Sequence, residues 1–540
     1  MSYIEKRRWG WLARLATSFV LATAPLAVGS SVWAQDDAAV QDGGTLVVVL
    51  PGDPQGLNSA LSTDTASSNI VGQIYGTLVR LDADGAVQPY MAETWDVSED
   101  GLTYTFTLFE GVTWHDGEPF TADDVAWGLW NVNREYNGAS AGLLAAVESI
   151  EATDDLTVVF NLAYPYPPLL AGLAYPNSAT ILPRHLFDNG SDPRQNPANQ
   201  HPIGTGPFMF KEWRAGSHIE LVSNPDYHFD GRPYLDRLIF QVIPNEAARG
   251  LALERGDADF IPYYSMSLSE YERLSGIEGI AATIHLRTIA GEYMAFFNTR
   301  NEPFNIPEVR QALYHGVNRD ELLEKAAFGL GTVATGPISS AQSQFYTPAG
   351  TFYDYDPDLA EQMLDEAGFP RGADGTRFSV RLSYDQKEGP MTNTAALIRA
   401  QWARIGVNLV VSPMESGAWR EAVYRRWDFD IQMGTWATGP DPAIGVQGIY
   451  TCETIDPNGG RNASGYCNEE LDAVFFEAAQ EVDHERRVEL YADAVEILTA
   501  DAPHMWLWDR QYPVAFDEDL VGLPGDPSAY GPFDYVGWKQ

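Results

Sequence analysis

The sequence predicts an α/β protein of more than one domain, and three observations carry that reading. Strand-like runs dominate the first half, helix and strand alternate from Pro307 onward, and the chain is 540 residues long. That length, with 45% hydrophobic and 12% aromatic residues, suffices for about three domains with sizeable cores.

The N-terminal stretch is set apart from this pattern. Lys6, Arg7, Arg8 and Arg14 precede an apolar run from Ala16 to Val28, and Val32-Trp33-Ala34 then offers a small-x-small cleavage site. This is the layout of an export signal, with cleavage expected after Ala34. The apolar run is too short for a permanent membrane span and no second one of about 20 residues follows. Arg7-Arg8 raises twin-arginine export, but Gly10 interrupts the apolar pair that should follow. With no Cys near the cleavage site to carry a lipid, the expectation is a free protein in the periplasm.

In the first half, the runs Thr45 to Leu50, Thr103 to Leu108, Leu156 to Leu162, Ile219 to Val222 and Leu238 to Ile243 read as strands, with helices at Ser68 to Val79 and Thr121 to Asn133. Thr103 to Leu108 alternates as a half-buried strand does, between turns at Asp100-Gly101 and Asp116-Gly117. Thr121 with Asp124 is a capping box for the helix through Trp127 and Trp130.

Beyond Pro307, Asp358 to Ala367 is a helix closed by Gly368, Phe378 to Tyr384 a strand, Thr394 to Ile405 a helix closed by Gly406, and Asn408 to Pro413 a strand. Long helices at Asn468 to Gln480 and His484 to Ala500 lead to a strand at His504 to Trp508 and an irregular tail. Cys452 and Cys467, the only cysteines, lie in one Gly/Asn-rich segment of an exported chain and read as a disulfide closing a 16-residue loop.

The formal charge of −41 becomes −44 once the +3 of residues 1–34 is removed. Such a field disfavours nucleic acid and anionic lipid as partners, and spread over the surface it serves solubility. Catalytic patterns are weak. Gly138-Ala139-Ser140-Ala141-Gly142 matches a hydrolase nucleophile elbow, but a helix precedes it where that motif needs a buried strand. The nine histidines show no metal-ligand spacing, and no phosphate-cradling loop is present, so no metal or other cofactor is expected. His115, in its His-Asp-Gly turn, reads as structural.

The stretch AETWDVSEDGLTYTFTLFEGVTWHDGEPFTADDV, Ala92 to Val125, resembles a signature of the bacterial extracellular solute-binding proteins, family 5. Further strings similar to that family follow in order: Gly204-Thr205-Gly206-Pro207, Trp213, Asn224-Pro225-Asp226-Tyr227, VRQALYHGVNRDEL at 309–322, Tyr355-Asp356-Pro357 leading to Ala367-Gly368-Phe369, and Trp402 to Val407. The resemblance spans about Gly43 to Trp538 and implies a bilobal periplasmic-binding-protein fold of class II type, two α/β lobes joined by a hinge with an extra α+β subdomain on the first. The expected boundaries are 35–75, 205–290 and 511–540 for lobe one, 76–204 for the subdomain and 291–510 for lobe two. Crossings between lobes are expected near Gly204 to Pro207, before Tyr293 to Asn298, and after Asp509.

By the same resemblance the protein is a monomeric receptor that encloses a peptide or similar small ligand and delivers it to ABC permease subunits, without catalysis. Oligosaccharides, opines and nickel chelates are the alternatives within the family, and a secreted hydrolase is the rival of another class. Contact residues implied are Thr63, Asp64 and Thr65 before the first helix, with Trp419, Trp436 and Thr438 on the far wall. Peptide receptors of the family carry an Asp that pairs with the ligand's α-ammonium; here that interval is Ala437-Thr438-Gly439. Asp441 is a substitute, or a turn-former in its Asp-Pro pair.

Overall fold

The computed structural model describes residues 40–62, 64–82, 85–285, 291–387, 389–457, 461–523 and 531–540. The export signal and its cleavage site lie outside them, as does Thr63. Lobe one is built on a seven-stranded mixed sheet in the order Ile280–His285, Tyr512–Asp517, Phe260–Ile261, Thr45–Leu50, Arg237–Val242, His218–Ser223, Phe208–Arg214. Lobe two is built on a five-stranded mixed sheet in the order Val407–Met414, Phe378–Asp385, Ile431–Ala437, Gly291–Phe297, His504–Asp509. Each sheet anchors its own core. Leu46, Val48, Leu238 and Phe240 centre the first; Met294, Phe297, Leu382 and Trp506 centre the second.

A four-stranded antiparallel sheet (Ala92–Val97, Thr103–Leu108, Thr157–Leu162, Val147–Ala152) shares the first of these cores through Phe106 and Phe160, whose rings meet edge to face at 5.4 Å. Alternation explains its strands: Tyr104, Phe106 and Leu108 are buried while Thr107 between them is exposed. The capping box forms, with Thr121 N donating to Asp124 Oδ2 at 3.0 Å. Helix Ala122–Trp127 then continues as a wider π turn at Gly128–Asn133.

Two expectations change. The first helix runs Thr65–Ile74 rather than to Val79, because Tyr75 is extended and Val79–Leu81 pairs with Val87–Pro89. The tail is not wholly irregular either: Gly537–Lys539 lies between Val40–Gln41 and Leu520–Val521.

The chain passes between the sheets twice among the described residues. It leaves lobe one at Ile280–His285 and enters lobe two at Gly291–Phe297; it returns from His504–Asp509 to Tyr512–Asp517. The Gly204 to Pro207 turn is not a crossing. It leads into Phe208–Arg214 of the lobe-one sheet, and its glycines lie against the end of the first helix, Gly206 N donating to Ile74 O at 2.8 Å. His115 secures the turn from the neighbouring sheet's loop: Gly204 N donates to Nδ1 at 3.2 Å and Nε2 donates to Gly206 O at 3.0 Å.

Candidate ligand site

Both crossings deliver strands to the same end of the lobe-two sheet. Glu292, second in its strand, stands opposite Trp436 on one side and Asp509 on the other. Arg510 N donates to Gly291 O at 2.7 Å where the second crossing begins. Trp436 therefore belongs to the lobe junction. It is half-buried, and its indole Nε1 donates to Gly445 O at 2.8 Å, which fixes the ring against helix Pro442–Gly445.

Trp419, on helix Ser416–Arg420, is also half-buried; its ring lies over Gly434, 3.8 Å from where a Cβ would stand. Its Nε1 has no hydrogen-bond partner.

Facing Arg420 across the junction is the start of the first lobe-one helix. A cavity of about 810 Å³ is lined by Gln55, Asn58, Asp64 and Thr65, by Arg194 and Asn199, and by Arg420. Asp64 is the helix N-cap, accepting from Ser67 N at 3.0 Å and Ser67 Oγ at 2.8 Å. Residues 62 and 64 lie in a loop and Thr65 in the first turn of the helix. Arg194 is engaged by Asp192 at 2.7 Å, whereas Arg420 has no acidic partner within 4.0 Å among the described residues.

Thr438 and Asp441 are buried rather than open to the cavity. Asp441 caps helix Pro442–Gly445 by accepting from Ala443 N at 3.0 Å, and both its oxygens accept from Arg487 Nη2, at 2.9 and 2.8 Å. In this structure Asp441 serves as turn-former and as the ion-pair partner of Arg487. Thr438 O and Gly439 O accept from Gln342 Nε2 at 3.1 and 3.0 Å, while Thr438 Oγ1 has no partner.

Residues that the sequence reading passed over complete the junction: Glu292, Asp509, Gln342 and Arg420. Glu292 and Asp509 are each 1% exposed. Burial, then the neighbouring Asp509 charge, pushes the Glu292 carboxyl well above the usual range. Burial also raises Asp509, against hydrogen bonds from Ser340 and Ser339 that hold it down. One signal was available: Glu292 is the single charged residue in the otherwise apolar run Gly291–Phe297. The disulfide is present between Cys452 and Cys467.

Comparison with known proteins agrees with this architecture. Residues 86–456 match the family described as "Bacterial extracellular solute-binding proteins, family 5 Middle". The chain is 31% identical over 506 residues to "Oligopeptide-binding protein AppA" of Bacillus subtilis (strain 168), covering 90% of each. It is 30% identical over 542 residues to "Dipeptide-binding protein" of Escherichia coli (strain K12), covering 95% of this chain and 98% of the relative. The solved structure of AppA from Bacillus subtilis in complex with a nonapeptide superimposes with a TM-score of 0.77 at 29% identity, covering 93% of this chain and all of that one. Periplasmic localisation is typical of such proteins, and their role is transport rather than catalysis. The chain belongs to the bacterial extracellular solute-binding proteins of family 5, bilobal receptors that deliver a small ligand to the permease of an ABC importer.

Proposed function

We propose that the ligand is a short peptide, bound in the cleft with a carboxylate at Arg420, and that the mature receptor starts at Gln35 without a lipid anchor. The observation that carries the ligand reading is the guanidinium of Arg420, without an acidic partner among the described residues, on a polar interlobe cavity of about 810 Å³. A planar fork of donors suits a carboxylate, and the volume lies within the range of sites for small organic ligands. Relatives named for oligopeptide and dipeptide binding, one of them solved with a nonapeptide, support the same class. Closure of the lobes would dry the cleft and strengthen each polar contact inside it.

Native mass spectrometry of protein taken from its periplasm tests the reading, with release and fragmentation of whatever is bound. Fragments of a peptide series are expected, together with a protein mass that begins at Gln35. A released oligosaccharide, opine or nickel chelate overturns the peptide reading and leaves the receptor role intact. If the protein emerges empty, a thermal-shift screen of short peptides decides. Peptide at 100 times its dissociation constant stabilises by about 2.7 kcal/mol.

A further inference from the structure

We propose that the cleft selects peptides carrying an acidic side chain besides their C-terminal carboxylate, with Arg420 of lobe two binding one carboxylate and Arg194 of lobe one the other. The proposal deepens the peptide reading above and rests on it.

Charge on the cavity wall runs against the charge of the chain. Acidic side chains outnumber basic ones 75 to 34 in the whole sequence. Among the described residues, however, the wall carries two guanidinia, Arg194 and Arg420, and one carboxylate, Asp64. That carboxylate caps its own helix, where Oδ2 accepts from Ser67 N and Ser67 Oγ at 3.0 and 2.8 Å. The far field of so acidic a protein repels anions, so a wall of the opposite sign serves a ligand that is itself negative. A peptide with a single carboxylate would leave one of the two guanidinia without an anion.

Arg194 is held in place before any ligand arrives. Asp192 caps the short turn Pro193–Gln195 by accepting from Arg194 N at 3.0 Å. The same carboxylate accepts from Arg194 Nε at 3.0 and 3.1 Å and from Nη2 at 2.7 Å. The Tyr136 ring centroid lies 5.3 Å from the guanidinium carbon. Nη1 donates to no acceptor among the described residues, so one edge of the fork is fixed and the other is open. Asp192 weakens the pull on a second carboxylate without cancelling it, because an accessible ion pair is screened by solvent.

The loop that carries Arg194 is itself tied down. Asn196 is buried, accepts from Ala198 N at 2.9 Å and donates to Leu186 O at 2.9 Å. Asn199 donates to Pro193 O at 2.8 Å and accepts from Asn58 Nδ2 at 2.9 Å, joining the loop to the wall beside the first helix. A guanidinium so fixed loses little side-chain freedom on taking a carboxylate in its planar fork.

The test uses wild type, Arg194→Gln and Arg420→Gln, each checked for retained melting temperature. Two matched pools of short randomised peptides, free of Asp, Lys and Arg, differ only in holding one Glu or one Gln. Bound members are counted by native mass spectrometry. Wild type should enrich the Glu pool about tenfold over the Gln pool. Arg194→Gln should lose that preference and bind the Gln pool as wild type does, while Arg420→Gln should weaken the binding of both pools. Equal enrichment of the two pools by wild type overturns the acidic selectivity and leaves the peptide reading standing. An unchanged preference in Arg194→Gln overturns the assignment to Arg194. Binding of neither pool rejects the peptide reading, and the selectivity falls with it.

Discussion

Arg487 donates through one nitrogen to both carboxylate oxygens of Asp441, at 2.9 and 2.8 Å, joining the long helix His484–Asp501 to the turn that follows the Trp436 strand. The guanidinium also donates to Ala478 O at 2.9 Å and stacks near Phe345 with its carbon 5.0 Å from the ring centroid. Its Nε and Nη2 are thus both engaged within lobe two.

Breaking the pair from one side leaves a buried charge alone. Asp441→Asn keeps the helix cap but should cost about 3–5 kcal/mol in urea unfolding, while Asp441→Asn with Arg487→Met should recover much of that loss. The recovered double variant should bind the same ligand as wild type by calorimetry. Loss of binding in a stably folded double variant would return Asp441 to the ligand site.

His115 sets a limit on acid stability. Burial holds its imidazole at about 4, against the carbonyl of Gly206, which favours the proton. The neutral ring accepts from Gly204 and donates to Gly206; a second proton would set Nδ1–H against the Gly204 N–H. The unfolded chain then binds a proton that the native one refuses, so stability is full above about 6.5 and falls as pH drops toward 4, by up to about 3 kcal/mol. Urea unfolding of wild type and His115→Gln from pH 7 to 4.5 checks this. The variant should start lower and lose less, since its side chain does not titrate.

Gly204 is required by a close approach rather than by its backbone angle. A Cβ there would lie 1.8 Å from Ile74 O and 2.5 Å from Ile74 C, atoms of a backbone that cannot rotate away. Gly204→Ala should cost about 3 kcal/mol. Gly138→Ala, where a Cβ meets nothing within 4 Å, is the control and should leave the melting temperature nearly unchanged.

The Cys452–Cys467 bond closes a loop whose Asn462 donates to Thr451 O and Tyr466 O, at 3.1 and 2.7 Å. Replacing both cysteines with serine should lower stability by about 3 kcal/mol in the loop-entropy account. The same loss should appear on adding reductant to wild type, and not to the variant.

What was readable in the sequence is what local physics decides. The Thr121 capping box, the Thr103 to Leu108 alternation and the helices closed by Gly368 and Gly406 all stand where periodicity and caps put them. Pairings across long separations were not readable. Arg487 is 46 residues from Asp441, and nothing in the Asp-Pro turn announces its partner. Glu292 and Asp509 meet only because both crossings enter one sheet side by side. The Gly204 to Pro207 turn looked like a crossing because glycines suit a joint; here they serve contact, with His115 and Ile74 packed against them.

The two crossings are partners on either side of the junction: His285 stands opposite Tyr512 in lobe one, and Glu292 opposite Asp509 in lobe two. Pairing on each side of the junction resists one strand sliding along the other more than it resists bending. The motion this pairing favours is a swing of the lobes about the paired ends, much as a book turns on its spine. Groups seated at the spine, Glu292 and Asp509 among them, would travel least during that swing.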